Sequence, residues 1–278
     1  MPPTTPRLLG VDFTSAPRRA KPITVARGRI DGTRVVLDHI ARCEDWPAFE
    51  TVLAEPGPWL GAFDFPFGLP REAVIDLGWP QTWPALVRHC AALGKAGFRA
   101  ALDTYRATRP VGQRYAHRAT DLPARSHSPL KLVNPPVGLM FLEGAPRLLA
   151  AGVHVPGMHA GDPLRIAVEA YPGLLARRIT MASYKSDERR KQTAERRAAR
   201  ALMVDVITAP RSADTPADAR NWLCAPPALR AALIDDASGD LLDATLALLQ
   251  AASAARAGPP AFGLPATTDA LEGWIVGS

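Results

Sequence analysis

Three short apolar runs in this sequence each carry a carboxylate at or next to their end. The runs and their acids are 8–13 with Asp12, 59–64 with Asp64, and 164–169 with Glu169. Short apolar runs of this kind predict buried strands, and the sites of open α/β sheets form where such strands end. One such acid could simply cap the next loop or helix, but three in equivalent positions predict a carboxylate cluster at one edge of an α/β sheet.

A carboxylate cluster of this kind favours a cation. Neighbouring carboxylates repel one another, and this raises the pKa of at least one of them unless a positive charge is present. Mg²⁺ prefers oxygen ligands and retains several waters in protein sites. The sequence therefore predicts Mg²⁺, or Mn²⁺ in its place, as the cofactor.

The other segments also indicate an α/β fold. Residues 22–30 and 34–37 are β-rich and flank Asp31-Gly32, a hairpin signal, so the chain is predicted to open with three consecutive antiparallel strands. A short strand is predicted at 272–276, and 110–136 is predicted to be largely irregular. Helices are predicted at 46–53, 84–93, 98–106, 137–151, 186–206 and 240–255.

Bulk properties predict one domain over residues 1–278. The chain has 278 residues, of which 47% are hydrophobic and 22% charged, and it contains no convincing linker. Its three cysteines are isolated, which is typical of a reducing compartment. It has neither an apolar signal segment at its start nor an apolar run long enough to span a bilayer. We expect a cytoplasmic protein without a membrane partner.

A fourth acid lies on the apolar helix predicted at 240–255. Asp240 and Asp243 share one stripe of this helix with Gln250. Asp240 falls in the first turn, where the helix dipole favours an acid without any site. Asp243 lies deeper, where an unpaired buried carboxylate would be unfavourable, so we expect Asp243 to face a polar site.

An ordered series of motifs resembles the DUF429 family over nearly the whole chain. The motifs are Gly10-Val11-Asp12-Phe13, Phe63-Asp64-Phe65-Pro66-Phe67-Gly68, Pro136-Val137-Gly138-Leu139-Met140-Phe141, Val168-Glu169-Ala170-Tyr171-Pro172-Gly173, Tyr184-Lys185-Ser186, Asp240-Leu241-Leu242-Asp243-Ala244 and Glu272-Gly273-Trp274-Ile275. That family is similar to predicted nucleases of the ribonuclease H-like fold, which are related to Holliday-junction resolvases.

This resemblance implies a fold and a set of roles. The fold is a mixed five-stranded ribonuclease H-like sheet, three antiparallel strands then parallel ones, with helices on both faces and a helical or irregular insertion at about 70–160. Asp12 would bridge two metal ions, Asp64 and Glu169 would flank it, and Asp243 would complete the set. Glu169 lies on a later strand than the second acid of the resolvases.

Basic residues suggest where a nucleic acid could bind. The net charge is +6, and the segment 177–200 is rich in Arg and Lys. Within it, Lys185 and Arg189 are candidate phosphate contacts, although a solvated helix face with local ion pairs explains the same pattern. Ser186 is the predicted N-terminal cap of the helix at 186–206. His117 and Arg118, in the irregular middle segment, are further candidate substrate contacts.

Three functions fit these observations. The first is a metal-dependent nuclease that hydrolyses phosphodiesters of DNA or RNA. The second is a non-catalytic nucleic-acid or protein binding module of the same fold. The third is an actin-like phosphotransferase, for which Asp12-Phe13-Thr14-Ser15 would form the first phosphate loop, but the sequence shows no Gly-rich second phosphate loop.

Overall fold

A computed structural model describes residues 6–209 and 222–278 of the chain. Within these ranges the strands form one sheet of seven, in the order β5-β6-β4-β1-β2-β3-β7. The strands are β1 (Arg7–Asp12), β2 (Ile23–Asp31), β3 (Arg34–Cys43), β4 (Trp59–Asp64), β5 (Val153–His154), β6 (Asp162–Glu169) and β7 (Trp222–Cys224).

The pairing of these strands confirms a mixed α/β sheet. Strand β2 lies antiparallel between β1 and β3, and β1, β4 and β6 run parallel to one another. The sheet has seven strands where five were expected, because β5 and β7 add one short strand at each edge. Strands of two or three residues are too short to show an alternating pattern in the sequence.

The described ranges contain nine α-helices, and all but one short helix cover the two faces of the sheet. They are α1 (Trp46–Leu53), α2 (Arg71–Asp76), α3 (Trp83–Ala107), α4 (Asp121–Ala124), α5 (Val137–Ala151), α6 (Pro172–Ile179), α7 (Ala194–Thr208), α8 (Pro227–Asp235) and α9 (Asp240–Ala257). One layer contains α1, α2, α3 and α5, and the opposite layer contains α6 to α9. None of the helices in these ranges is both long and apolar enough to cross a membrane.

Three predicted elements differ from those observed. Helix α7 begins at Ala194 rather than at Ser186, because the Thr193 hydroxyl caps it by accepting from the Arg196 amide. The two helices predicted at 84–93 and 98–106 are joined as α3 and separated only by a kink at Gly94, where φ is +61°. The predicted strand at 272–276 is reduced to one parallel bridge between Ile275 and Glu169.

Helix α9 lies directly on the centre of the sheet. Gly10 of β1 makes this possible, because a Cβ atom there would collide with the backbone of Ala244 and Leu248. Alternate residues of a strand share a face, so Asp12 points to the same side as Gly10. The close contact therefore brings the first turns of α9 beside the end of β1.

Candidate carboxylate site

Asp12 and Asp64 end the two central parallel strands. They are register partners across β1 and β4, so both side chains point to the same face of the sheet. That face is the α9 side, because Ala62 belongs to the core of that layer whereas Val11 and Phe63 pack in the opposite one. Both acids line a cavity of about 530 Å³.

Asp243 of α9 meets this pair from the helix side. Its side chain is fully buried and has two partners from the segment before α7. The hydroxyl of Tyr184 donates to Asp243 Oδ1 at 2.6 Å, and Lys185 Nζ donates to Asp243 Oδ2. Asp243 therefore has polar partners, as predicted, and one of them is the ammonium group of Lys185.

Glu169 lines the same cavity as Asp12 and Asp64, and its charge helps to raise the pKa of Asp64, but it approaches from the other side of the sheet. Its register partner on β4 is Phe63, so its side chain points to the opposite face of the sheet from Asp12 and Asp64. There Arg118 binds it through two hydrogen bonds of 2.7 Å, and the Phe67 amide donates to it at 2.9 Å. Both of its carboxylate oxygens therefore accept hydrogen bonds from within the fold.

The acid cluster holds protons more tightly than isolated aspartates do. Burial raises the pKa of Asp12 well above its ordinary value, and repulsion from Asp243 and Asp240 adds to this effect. Burial likewise raises the pKa of Asp64 to about 7, with Lys185 opposing the shift and Asp243 reinforcing it. An added cation would lower both pKa values by offsetting this repulsion.

Two lysines supply positive charge to the cluster. Burial acts to lower the pKa of Lys185, but the carboxylates of Asp243 and Asp12 outweigh it, so the pKa is raised and the ammonium form is held. Lys21 Nζ bonds Asp240 at 2.7 Å and Asp187 at 2.9 Å. Sequence reasoning missed Lys21, which stands alone in a loop with no motif around it, and treated Asp240 only as a helix-dipole residue.

The donor set fits a divalent cation in part. Asp12 and Asp64 offer buried carboxylate oxygens on one face, and Asp243 could join them once Lys185 moves away. Glu169 lines the same cavity, but Arg118 binds both of its carboxylate oxygens. Within residues 6–209 and 222–278, no three acid, histidine or cysteine side chains are already arranged as a metal-binding group.

The predicted substrate contacts have different environments. Lys185 lines the cavity beside Asp12, and Arg189 lines a neighbouring cavity of about 400 Å³. Arg118 also lines the first cavity, but its guanidinium N–H groups are bonded to Glu169, Asp121 and the Glu272 carbonyl. His117 is exposed, but it lines neither cavity.

Comparison of the chain with protein-family models, with curated proteins and with solved structures finds no match. The resemblance to the DUF429 family therefore stays a prediction.

Proposed function

We propose that this chain is a metal-dependent phosphodiesterase that acts on DNA or RNA. The observation that carries the proposal is the convergence of Asp12, Asp64 and Asp243 on one face of the sheet, beside a cavity large enough for a nucleotide-sized group. Burial and repulsion from nearby carboxylates raise the pKa values of Asp12 and Asp64, which is typical of a site that functions with a bound cation.

The strand order supports the same proposal. The five longest strands follow the order β3-β2-β1-β4-β6, with only β2 antiparallel to its neighbours. This arrangement agrees with the ribonuclease H-like sheet that the resemblance implies, in which the first acid ends the central strand. Asp12 has that position, and Asp64 ends the adjacent parallel strand.

Each residue of the site has a distinct task in this proposal. Asp12 and Asp64 would hold Mg²⁺ or Mn²⁺, which when bound lowers the pKa of water and polarises phosphoryl oxygens. Lys185 Nζ would move from Asp243 to a substrate phosphate and neutralise its charge. Tyr184, through its hydrogen bond to Asp243, fixes the orientation of that carboxylate.

Calorimetric titration with Mn²⁺ at pH 8 tests the proposal. We compare wild type, Asp12→Asn and the control Asp205→Asn, which alters an aspartate that is 73% exposed on α7. We expect saturable binding by wild type and the control, and binding at least tenfold weaker in Asp12→Asn. Cleavage of a labelled oligonucleotide should follow metal binding. An Asp12→Asn variant that cleaves as fast as wild type would overturn the carboxylate mechanism.

The ion pair between Lys185 and Asp243 favours a second candidate, a nucleic-acid binding module without catalysis. In that case the lysine is a permanent counter-ion of the cluster, and no metal is needed. The Mn²⁺ titration separates the two functions, because a binding module would show no heat of Mn²⁺ binding in either wild type or Asp12→Asn. Such a module would still bind the oligonucleotide in the presence of chelator.

A further inference from the structure

A second cavity, of about 400 Å³, lies beside the carboxylate site and is lined by five basic and three acidic side chains. Both cavities are lined by Lys21, Asp187, Ser238 and Asp240, so they share one wall. Four arginines line the second cavity: Arg18, Arg19, Arg42 and Arg189. The carboxylate site is thus continuous with a surface of opposite charge.

The strand register aligns the two cavities. Asp12 of β1 is the partner of Thr24 on β2, and Thr24 is the partner of Arg42 on β3. Register partners point to the same face, so Asp64, Asp12, Thr24 and Arg42 form one polar row across four strands. The row passes from acidic at β4 and β1 to basic at β3.

The acids near the second cavity are occupied, whereas the arginines are available. Asp187 and Asp240 are both bonded to Lys21. Asp236 accepts from the hydroxyl of Ser238 at 2.6 Å and from the backbone amide of Leu241 at 2.9 Å. None of the four arginines has a carboxylate within 4 Å in the part of the chain that the structure describes.

Thr24 provides an independent indication of a ligand. Its side chain is 1% exposed, it lines the second cavity, and its hydroxyl has no hydrogen-bond partner among the described residues. A buried hydroxyl without a partner is unfavourable, so native structures usually supply one. A phosphate oxygen held by the surrounding arginines would accept a hydrogen bond from this hydroxyl.

We propose that the second cavity binds a phosphate group of a nucleic-acid strand whose neighbouring phosphodiester reaches the carboxylate site. The inference rests on the proposed function for the identity of the ligand, but not for the existence of the basic cavity. Lys21 lies in the shared wall, where the strand passes from one cavity to the other.

Fluorescence anisotropy of a labelled single-stranded oligonucleotide in EDTA tests this site without metal. We compare wild type with Arg42→Gln/Arg189→Gln and with the control Arg88→Gln, which alters an exposed arginine of α3. We expect the double variant to bind about tenfold more weakly or worse, because each lost phosphate contact removes a charge-assisted hydrogen bond. The slope of log affinity against log salt should fall by about 0.7, the value for one phosphate of a single strand, and Arg88→Gln should match wild type.

Two outcomes overturn the proposal. The first is equal affinity and salt slope for wild type and the double variant, with circular dichroism showing that both are folded. The second is binding of inorganic phosphate that requires Arg42 and Arg189 while the oligonucleotide does not bind, since the cavity would then serve a small phosphorylated ligand. Failure of the proposed function has a separate signature, which is oligonucleotide binding that depends on the arginines without cleavage in Mn²⁺.

Discussion

The carboxyl group of Asp64 keeps its proton to a higher pH than an ordinary aspartate does, and this links the site to folding stability. Burial raises its pKa from 3.8 to about 7. Between these two values the folded state holds a proton that the unfolded chain releases. Stability therefore falls as pH rises through this window, which is the opposite of the behaviour of a salt-bridged acid.

Replacing Asp64 by asparagine should remove this dependence. In chelator at pH 8 we expect Asp64→Asn to be more stable than wild type by about 2 kcal/mol, because no buried charge has to form. At pH 4 the difference in stability between the variant and wild type should be much smaller, since the Asp64 carboxyl group is then neutral in the folded protein. Urea unfolding at the two pH values measures both quantities. A gain of equal size at both would show that the charge of Asp64 is not destabilising.

Arg118 is the residue whose loss should damage the fold most directly. It is bonded to both Glu169 and Asp121, and all three side chains are buried. We expect Arg118→Met to lower the free energy of unfolding by about 3–5 kcal/mol, because it leaves buried carboxylates without a partner. Arg118→Met/Glu169→Gln should recover part of this loss. Chemical denaturation of both variants tests this prediction. A double variant no more stable than Arg118→Met would contradict the pairing of Arg118 with Glu169.

The position of Glu169 shows what the sequence could not determine about the site. The apolar runs correctly predict that three acids end strands, namely Asp12, Asp64 and Glu169. Which face each acid points to depends on register, and a shift of one residue reverses the face. Nothing in the local sequence fixes the register between β4 and β6. The sequence therefore predicts that the acids lie at the same edge of the sheet, but not which face Glu169 points to.

At the scale of elements, the main helices and strands follow from local pattern. Strands β1, β2 and β4 and helices α1, α5 and α9 lie close to their predicted positions, whereas β3 extends six residues beyond the predicted 34–37. Helix α7 starts late because Thr193, rather than Ser186, supplies the cap. The residues before it, including Tyr184 and Lys185, then cross to α9 and reach Asp243. Such tertiary contacts leave no periodic signal.

Contact between α9 and β1 should depend on Gly10. We expect Gly10→Ala to destabilise the protein by about 3 kcal/mol, because the added methyl group would push α9 off the sheet. It should also weaken Mn²⁺ binding by separating Asp243 from Asp12. Gly97→Ala is the matched control, since that helical position of α3 meets only the Leu93 side chain. Equal thermal unfolding of the two variants would contradict this account.

For the whole molecule, a cation that binds only the folded state should raise stability. If Mg²⁺ binds at Asp12 and Asp64, a concentration one hundred times its dissociation constant should stabilise the protein by about 2.7 kcal/mol. Thermal unfolding with Mg²⁺ and with EDTA measures this difference. We expect Asp12→Asn to show none of it. An equal effect of Mg²⁺ on both proteins would place the ion elsewhere.

The polar row across β4, β1, β2 and β3 sets a fixed separation. Neighbouring strands lie about 4.8 Å apart, so the end of β1 and the end of β3 are separated by about 10 Å of rigid sheet. If a strand of nucleic acid is anchored at Arg42 and cut beside Asp12, the sheet fixes the distance between the two positions. The distance from anchor to cut would then be the same for substrates of any length.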